Sequence, residues 1–244
     1  MKKTLFVAAA MLLMMGANAQ NTFKGTVKYK IESTGEVAFQ IPEDQSTVEV
    51  KVFGEQAKMG NTVQNGRKVT QCADYSMYVL GLKSQFDVEL ESDWGDAKFM
   101  FKNEVTQNEI DSLTIPVTEG YYFEYVAGET KTVADRTAKK AVLHVFDDEG
   151  TDHPIEFWYD PTIGPSNNFL FNGIAGMPLQ FTQNAGEGRA ITYTAVEVKE
   201  GKVKEADLLL PAGYKEVSTE EYKTFMTELK DAMEVAGLGG GDEE

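Results

Sequence analysis

Between Phe23 and Ile31 the chain reads FKGTVKYKI, a run that can bury one side of itself only as an extended strand. Phe23, Val27, Tyr29 and Ile31 point one way; Lys24, Thr26, Lys28 and Lys30 point the other. That alternation is the period of a pleated strand, and its polar half requires one face in water. Strands of this one-sided kind pair in antiparallel sheets.

The same pattern returns along the chain. STVEVKVF sets Val48, Val50 and Val52 against Thr47, Glu49 and Lys51. FDVELE and AKFMFK follow, with Ser92-Asp93-Trp94-Gly95-Asp96 between them as the turn of a hairpin. YYFEYV, KAVLHVF, PIEFWY, MPLQF and RAITYTAVEV read as further strands, and the acidic and glycine-rich stretches at 147–150 and 184–188 separate neighbours as turns. Short strands at this spacing, with almost no helical period until the end, predict a mainly β fold. The expected form is a curled antiparallel sheet, an open half-barrel, in a single domain over 20–236.

Some strands are apolar on both faces. In YSMYVL, Tyr75, Met77 and Val79 oppose Tyr78 and Leu80; in KAVLHVF, Ala141, Leu143 and Val145 oppose Val142 and Phe146. One face can pack on a core, and the other needs a cover. The chain offers one amphipathic helix for it. Ser218 and Glu221 form a capping box, and Tyr222, Phe225, Met226, Leu229 and Met233 fall on one stripe behind it. The last residues, 237–244, read GLGGGDEE, have nothing to bury, and are expected to be a disordered tail.

At the other end, Lys2 and Lys3 precede an apolar run from Leu5 to Met15 and then Ala17-Asn18-Ala19. This is the pattern of a secretory signal peptide over 1–19, cut before Gln20. The run is too short to span a bilayer, and no cysteine follows the cleavage site to carry a lipid. The mature protein is therefore expected to be soluble, in the periplasm or secreted, without stable membrane insertion.

Charge and chemistry narrow the function. The net charge of −16 repels phosphate backbones and anionic lipid, which disfavours nucleic acid as a partner. Cys72 is the only cysteine, so no internal disulfide forms, and its bland reading is a small apolar residue in a strand. The two histidines, His144 and His153, have no second histidine or cysteine at ligand spacing, and no metal site is predicted. DDEGTDH (147–153) lacks the alternating oxygens and closing Glu of a calcium loop and reads as a solvated turn. No Gly-x-Ser-x-Gly occurs, and the Gly186-Glu187-Gly188 step has no helix behind it to receive a phosphate. The sequence thus predicts a protein that is not an enzyme and needs no cofactor.

The aromatic population points to binding instead. Around the glycine- and proline-broken stretch GIAGMPLQF (173–181) lie Trp158, Phe169, Phe171 and Met177. A closed core can use them all. The functional alternative is a curled sheet that leaves an apolar cleft, lined by Trp158, Phe169, Phe171 and Met177 and closed by Phe225 of the helix. The Gly176-Met177-Pro178 step itself is expected to be a structural corner, since glycine permits the turn and proline suits the first residue of a strand.

Those same residues carry a resemblance. Gly173-Ile174-Ala175-Gly176-Met177-Pro178-Leu179 resembles the Gly-Leu-Pro core of the GLPGLI-type secreted proteins and their relatives in the domain-of-unknown-function family 4412. The first strand FKGTVKY, the EFWY strand before the motif, and LPAGY at 210–214 agree in order. One landmark departs: Val133-Ala134-Asp135-Arg136 stands where that family shows an Ile-x-Gly-aromatic step. The resemblance implies a half-barrel similar to the periplasmic lipoprotein carriers, with a helix on its concave side, and it brings no assigned activity. Two expectations follow: a binding protein holding an apolar ligand, such as a lipid or acyl chain, between sheet and helix, or an envelope protein with a solid core that acts on a protein partner.

Overall fold

The computed structural model describes residues 22–35, 40–74, 98–104, 120–147, 149–166, 168–171, 173–184 and 188–235. Its strands are β1 Lys24–Gly35, β2 Thr47–Phe53, β3 Gln56–Met59, β4 Thr62–Asn65, β5 Lys68–Asp74 and β6 Lys98–Glu104. They continue as β7 Gly120–Val133, β8 Arg136–Phe146, β9 Ile155–Asp160, β10 Met177–Asn184, β11 Arg189–Glu200 and β12 Lys215–Val217. One α-helix, α1 (Thr219–Val235), follows. All twelve strands join one open sheet in the order β12-β6-β5-β4-β3-β2-β1-β11-β10-β9-β8-β7. Neighbours are antiparallel except β12, which runs parallel to β6.

The mainly β class, the open curled sheet and the C-terminal helix are as the sequence predicts. Its alternation also sets the register: Val27 faces Val50, and Tyr29 faces Val48, so the apolar halves of β1 and β2 share a side. Four strands escape the period-two reading: β3, β4 and β12, whose three or four residues are too few to show it, and β5, whose seven residues KVTQCAD hold little apolar alternation. The turns from β2 to β5 have two residues each, led by Gly54, Gly60 and Gly66 at φ +62°, +54° and +57°. A leading glycine at positive φ matches the turn twist to the strand twist, and makes a tight three-hairpin staircase.

The proposed hairpin of FDVELE with AKFMFK has its first strand and its turn outside the described residues, as does YSMYVL. The described part of AKFMFK is β6, which pairs with β5 and β12. The signal peptide and the terminal tail also lie outside.

Bends curl the sheet. β7 pairs with β8 through Tyr125–Ala141 and then Thr130–Lys139, so residues 126–129 leave the ladder. The β7–β8 turn then reaches the end of β11, where Arg136 Nη1 donates to Glu200 Oε1 at 3.0 Å. The core lies on one face: Val27, Tyr29, Val50, Val52, Ala57, Leu143, Phe157, Leu179, Phe181 and Ala195 are buried there together.

What covers that face corrects one expectation. The helix does not lie over the centre of the sheet. It packs at the far end, with Phe225 edge-on to Phe99 at 4.6 Å and Tyr222 stacked on Phe101 at 4.4 Å. The centre is covered by the chain's own connection between β9 and β10, residues 161–176, which puts Ile163, Phe171 and Ile174 into the core. A single helix is about 10–12 Å wide with its side chains, too narrow to roof a sheet of this breadth. On the opposite face, the stretch between β11 and β12 crosses β2 and β3, buries Leu208, and accepts a hydrogen bond from Lys58 Nζ at the Leu209 carbonyl.

Candidate functional site

The connection starts from a buried charge. Asp160, at the end of β9, is 3% exposed. Its Oδ2 accepts from Arg136 Nε at 2.8 Å, and its Oδ1 accepts from the Thr162 amide at 2.9 Å and hydroxyl at 2.6 Å. Arg136 also donates through Nη2 to Thr162 Oγ1. The hydrogen bond to Asp160 is the main reason the guanidinium pKa is raised still further. One guanidinium therefore joins the β7–β8 turn, the start of the connection and the end of β11.

Asn168 holds the middle. Its side chain is fully buried, Oδ1 accepts from the Leu170 amide at 3.1 Å, and its backbone N–H donates to the Ile174 carbonyl at 2.8 Å. The Gly173 amide returns to the Asn168 carbonyl at 2.7 Å, closing a small loop around the 3-10 turn Phe169–Phe171. Farther out, Ser166 donates its amide and its hydroxyl to the two carboxylate oxygens of Glu55 on the β2–β3 turn, both at 2.8 Å. The connection is thus tied to both halves of the sheet. Neither Asn168 nor Ser166 stands out in the sequence, because single Asn and Ser residues in a loop carry no periodic signal.

Gly176 then makes the corner. It sits at φ +129°, and a Cβ built there would meet the Asp160 carbonyl oxygen at 2.6 Å. Pro178 opens β10, and its carbonyl accepts from the buried Tyr29 hydroxyl at 2.5 Å. Burial raises the Tyr29 pKa well above its ordinary value, so this donor keeps its proton. Tyr125 accepts from the Ala175 amide at 3.1 Å, and burial, only partly offset by that bond, pushes its pKa up to about 12.

Of the five residues expected to line one cleft, the four whose side chains are described are not all brought together. Phe171 and Met177 sit in the packed core at 2% and 0% exposure. Phe171 lies against Tyr29 and Phe181, with ring centres 5.5 and 5.1 Å away. Trp158 lies on the opposite face, because it alternates between buried Phe157 and Tyr159. There its indole donates to Glu156, under Lys131 Nζ and Lys140 Nζ at 5.4 and 5.8 Å from the ring centre. Phe225 belongs to the helix end of the sheet. Only the backbone of Phe169 is described. The choice of Trp158 followed its size, whereas the alternation of PIEFWY already pointed Phe157 and Tyr159 inward.

A second feature lies at one end of the sheet. The β8–β9 turn and the start of β11 flank an open cleft of about 870 Å³, with Val145, Ile155 and Ala190 against His153, Glu156 and Arg189. The 147–153 stretch is a hairpin turn, as expected: Asp147 Oδ1 accepts the amides of Glu149 and Thr151. Among the described residues no group of three or more His, Cys, Asp or Glu is arranged to hold a metal. Cys72 is buried, and burial raises its pKa against the weaker pull of Lys58, which leaves a thiol and a poor nucleophile. No helix among the described residues is long and apolar enough to cross a membrane.

No protein-family model matches the chain, and no curated protein does. Among solved structures, the MucA/MucB complex of Pseudomonas aeruginosa is similar at 17% identity and a TM-score of 0.34, over 84% of this chain and 62% of that one. A structure of MucB alone gives 16% identity and a TM-score of 0.31, over 84% and 63%. A LolA superfamily protein from Nitrosomonas europaea gives 10% and 0.27, over 78% and 91%. The chain spans about three fifths of the MucB chains' length. Likeness at these scores carries no argument about ligand or partner, and the resemblance to the GLPGLI-type proteins stays one of short motifs.

Proposed function

We propose that this is an exported, non-enzymatic protein of the periplasm or cell exterior that acts by binding another envelope protein, and that no acyl chain occupies the centre of its sheet. One observation carries the reading. Residues 161–176 fill the core face with Ile163, Phe171 and Ile174, backed by Met177, all at 2% exposure or less. The core face of the sheet is filled by the chain's own connection. The N-terminal signal pattern supports export, and among the described residues the exposed large apolar side chains are spread over β7 (Tyr121, Tyr125), β11 (Val196), the β11–β12 stretch (Leu209) and α1 (Met226).

A second reading keeps an apolar ligand between sheet and helix, now confined to the end where α1 rests on β6 through Phe225 and Tyr222. Native mass spectrometry of protein purified without detergent, followed by titration with a fluorescent fatty acid, separates the two. The first reading predicts the mass of the bare chain and no saturable binding. A stoichiometric lipid mass contradicts it, and binding then lost in Phe225→Ala assigns the ligand to the helix end. Phe171→Ala is expected to cost about 3–5 kcal/mol of stability, as a core deletion does.

A further inference from the structure

Both histidines of the chain lie around the β8–β9 turn, and each faces carboxylates. His144 projects from the outer face of β8. Its Nδ1 is 2.7 Å from Asp152 Oδ2 on the turn, and its Nε2 is 3.2 Å from Glu124 Oε2 on β7. Tyr122 of β7 stacks on the imidazole at 4.6 Å with ring planes 10° apart. His153 Nε2 is 2.8 Å from Asp147 Oδ2 within the turn. We propose that His144 is a proton-operated clasp, which as imidazolium fastens strand β7 and the β8–β9 turn to β8 and on deprotonation releases one of them.

The reason is the number of donors. An imidazolium donates from both ring nitrogens and satisfies both carboxylates; a neutral ring keeps one N–H and turns a lone pair towards the other carboxylate. Deprotonation therefore exchanges a charge-assisted hydrogen bond for lone-pair repulsion. The groups facing the ring are Glu124 and Tyr122 from β7 and Asp152 from the turn, and Phe146 of β8 stacks on Tyr122 rather than on the imidazole. The outer-face acid of β9, Glu156, is engaged by Lys140 and Trp158. Burial lowers the His144 pKa, but the hydrogen bonds to Asp152 and Glu124, with their charges, outweigh it, and the net shift is upward.

The sign follows from that direction. A folded-state pKa raised above the unfolded value of 6.5 gives a stabilisation that is complete below it and disappears as pH rises through the folded value. Strand β7 pairs only with β8 among the described residues, so it depends on this clasp more than an inner strand would. Asp152, His153 and Ile155 also line the cleft of about 870 Å³, so the proton sets how firmly one wall of that cleft is held.

Two measurements on the intact chain test the clasp. In an NMR titration of the ring nitrogens, His144 is expected to titrate above 6.5 with both nitrogens protonated below its midpoint. Asp152→Asn and Glu124→Gln should each move that midpoint down. In hydrogen exchange corrected for intrinsic rates, amides of β7 around Tyr122 and Glu124 should lose protection by about threefold or more from about pH 6 to about pH 8.5. His144→Gln should abolish that dependence. A His144 midpoint at or below 6.5, or a pH dependence that persists in His144→Gln, overturns the proposal. Should His144→Gln not fold, the midpoints in wild type, Asp152→Asn and Glu124→Gln decide it alone.

Discussion

Gly176 and Ala134 show how single backbone positions carry this fold, in opposite ways. At Gly176 the chain turns back over β9 at a φ that L side chains rarely adopt, against the Asp160 carbonyl. Gly176→Ala adds both strain and a clash with rigid backbone, and is expected to destabilise by about 2–4 kcal/mol in chemical denaturation. Gly128→Ala, at φ +83° with open space around it, should cost about half that or less. The β7–β8 turn has the reverse fault. Ala134 and Asp135 stand at φ +47° and +60°, a conformation in which a Cβ is unfavourable. Ala134→Gly should stabilise by about 0.5–1 kcal/mol, read as a higher melting temperature, and a lower one would contradict the strain assigned to this turn.

Among the elements, the helix was the most legible in the sequence. The capping box forms as read: the Glu221 amide donates to Ser218 Oγ at 3.1 Å, and Glu221 accepts from the Ser218 amide at 2.6 Å, which holds its pKa below the ordinary carboxylate value. Ser218→Ala should cost about 1 kcal/mol and show as faster hydrogen exchange in α1, with protection in β1, β10 and β11 unchanged, because the helix packs at the other end of the sheet. What the helix covers was not legible. Periodicity reports that a face is apolar, not which segment meets it, and a loop without period filled the place assigned to the helix. The same limit explains Trp158 and Phe171: alternation tells inside from outside within a strand, but only the three-dimensional path of 161–176 tells that Phe171 is core. The staircase from β2 to β5 was missed for a different reason. Asn65-Gly66 is a strong hairpin signal, but β4 before it is only four residues long and β5 after it is too polar to announce itself.

At the scale of the whole molecule, a sheet this wide with one narrow helix needs another cover, and the chain supplies it from its own β9–β10 connection. Arg136 ties the start of that connection to β9 through Asp160, Ser166 ties it to the β2–β3 turn through Glu55, Asn168 closes its middle, and Gly176 packs its end against the Asp160 carbonyl. The proposed binding function therefore rests on the surface rather than the interior. Hydrogen exchange at the amides of Asn168 and Gly173 tests this most directly. If 161–176 is core, both amides exchange only when the whole domain unfolds, at the rate of the slowest β1 and β11 amides. Exchange there orders of magnitude faster than in β1, with the sheet still protected, would mean that the connection lifts away from a cavity beneath it.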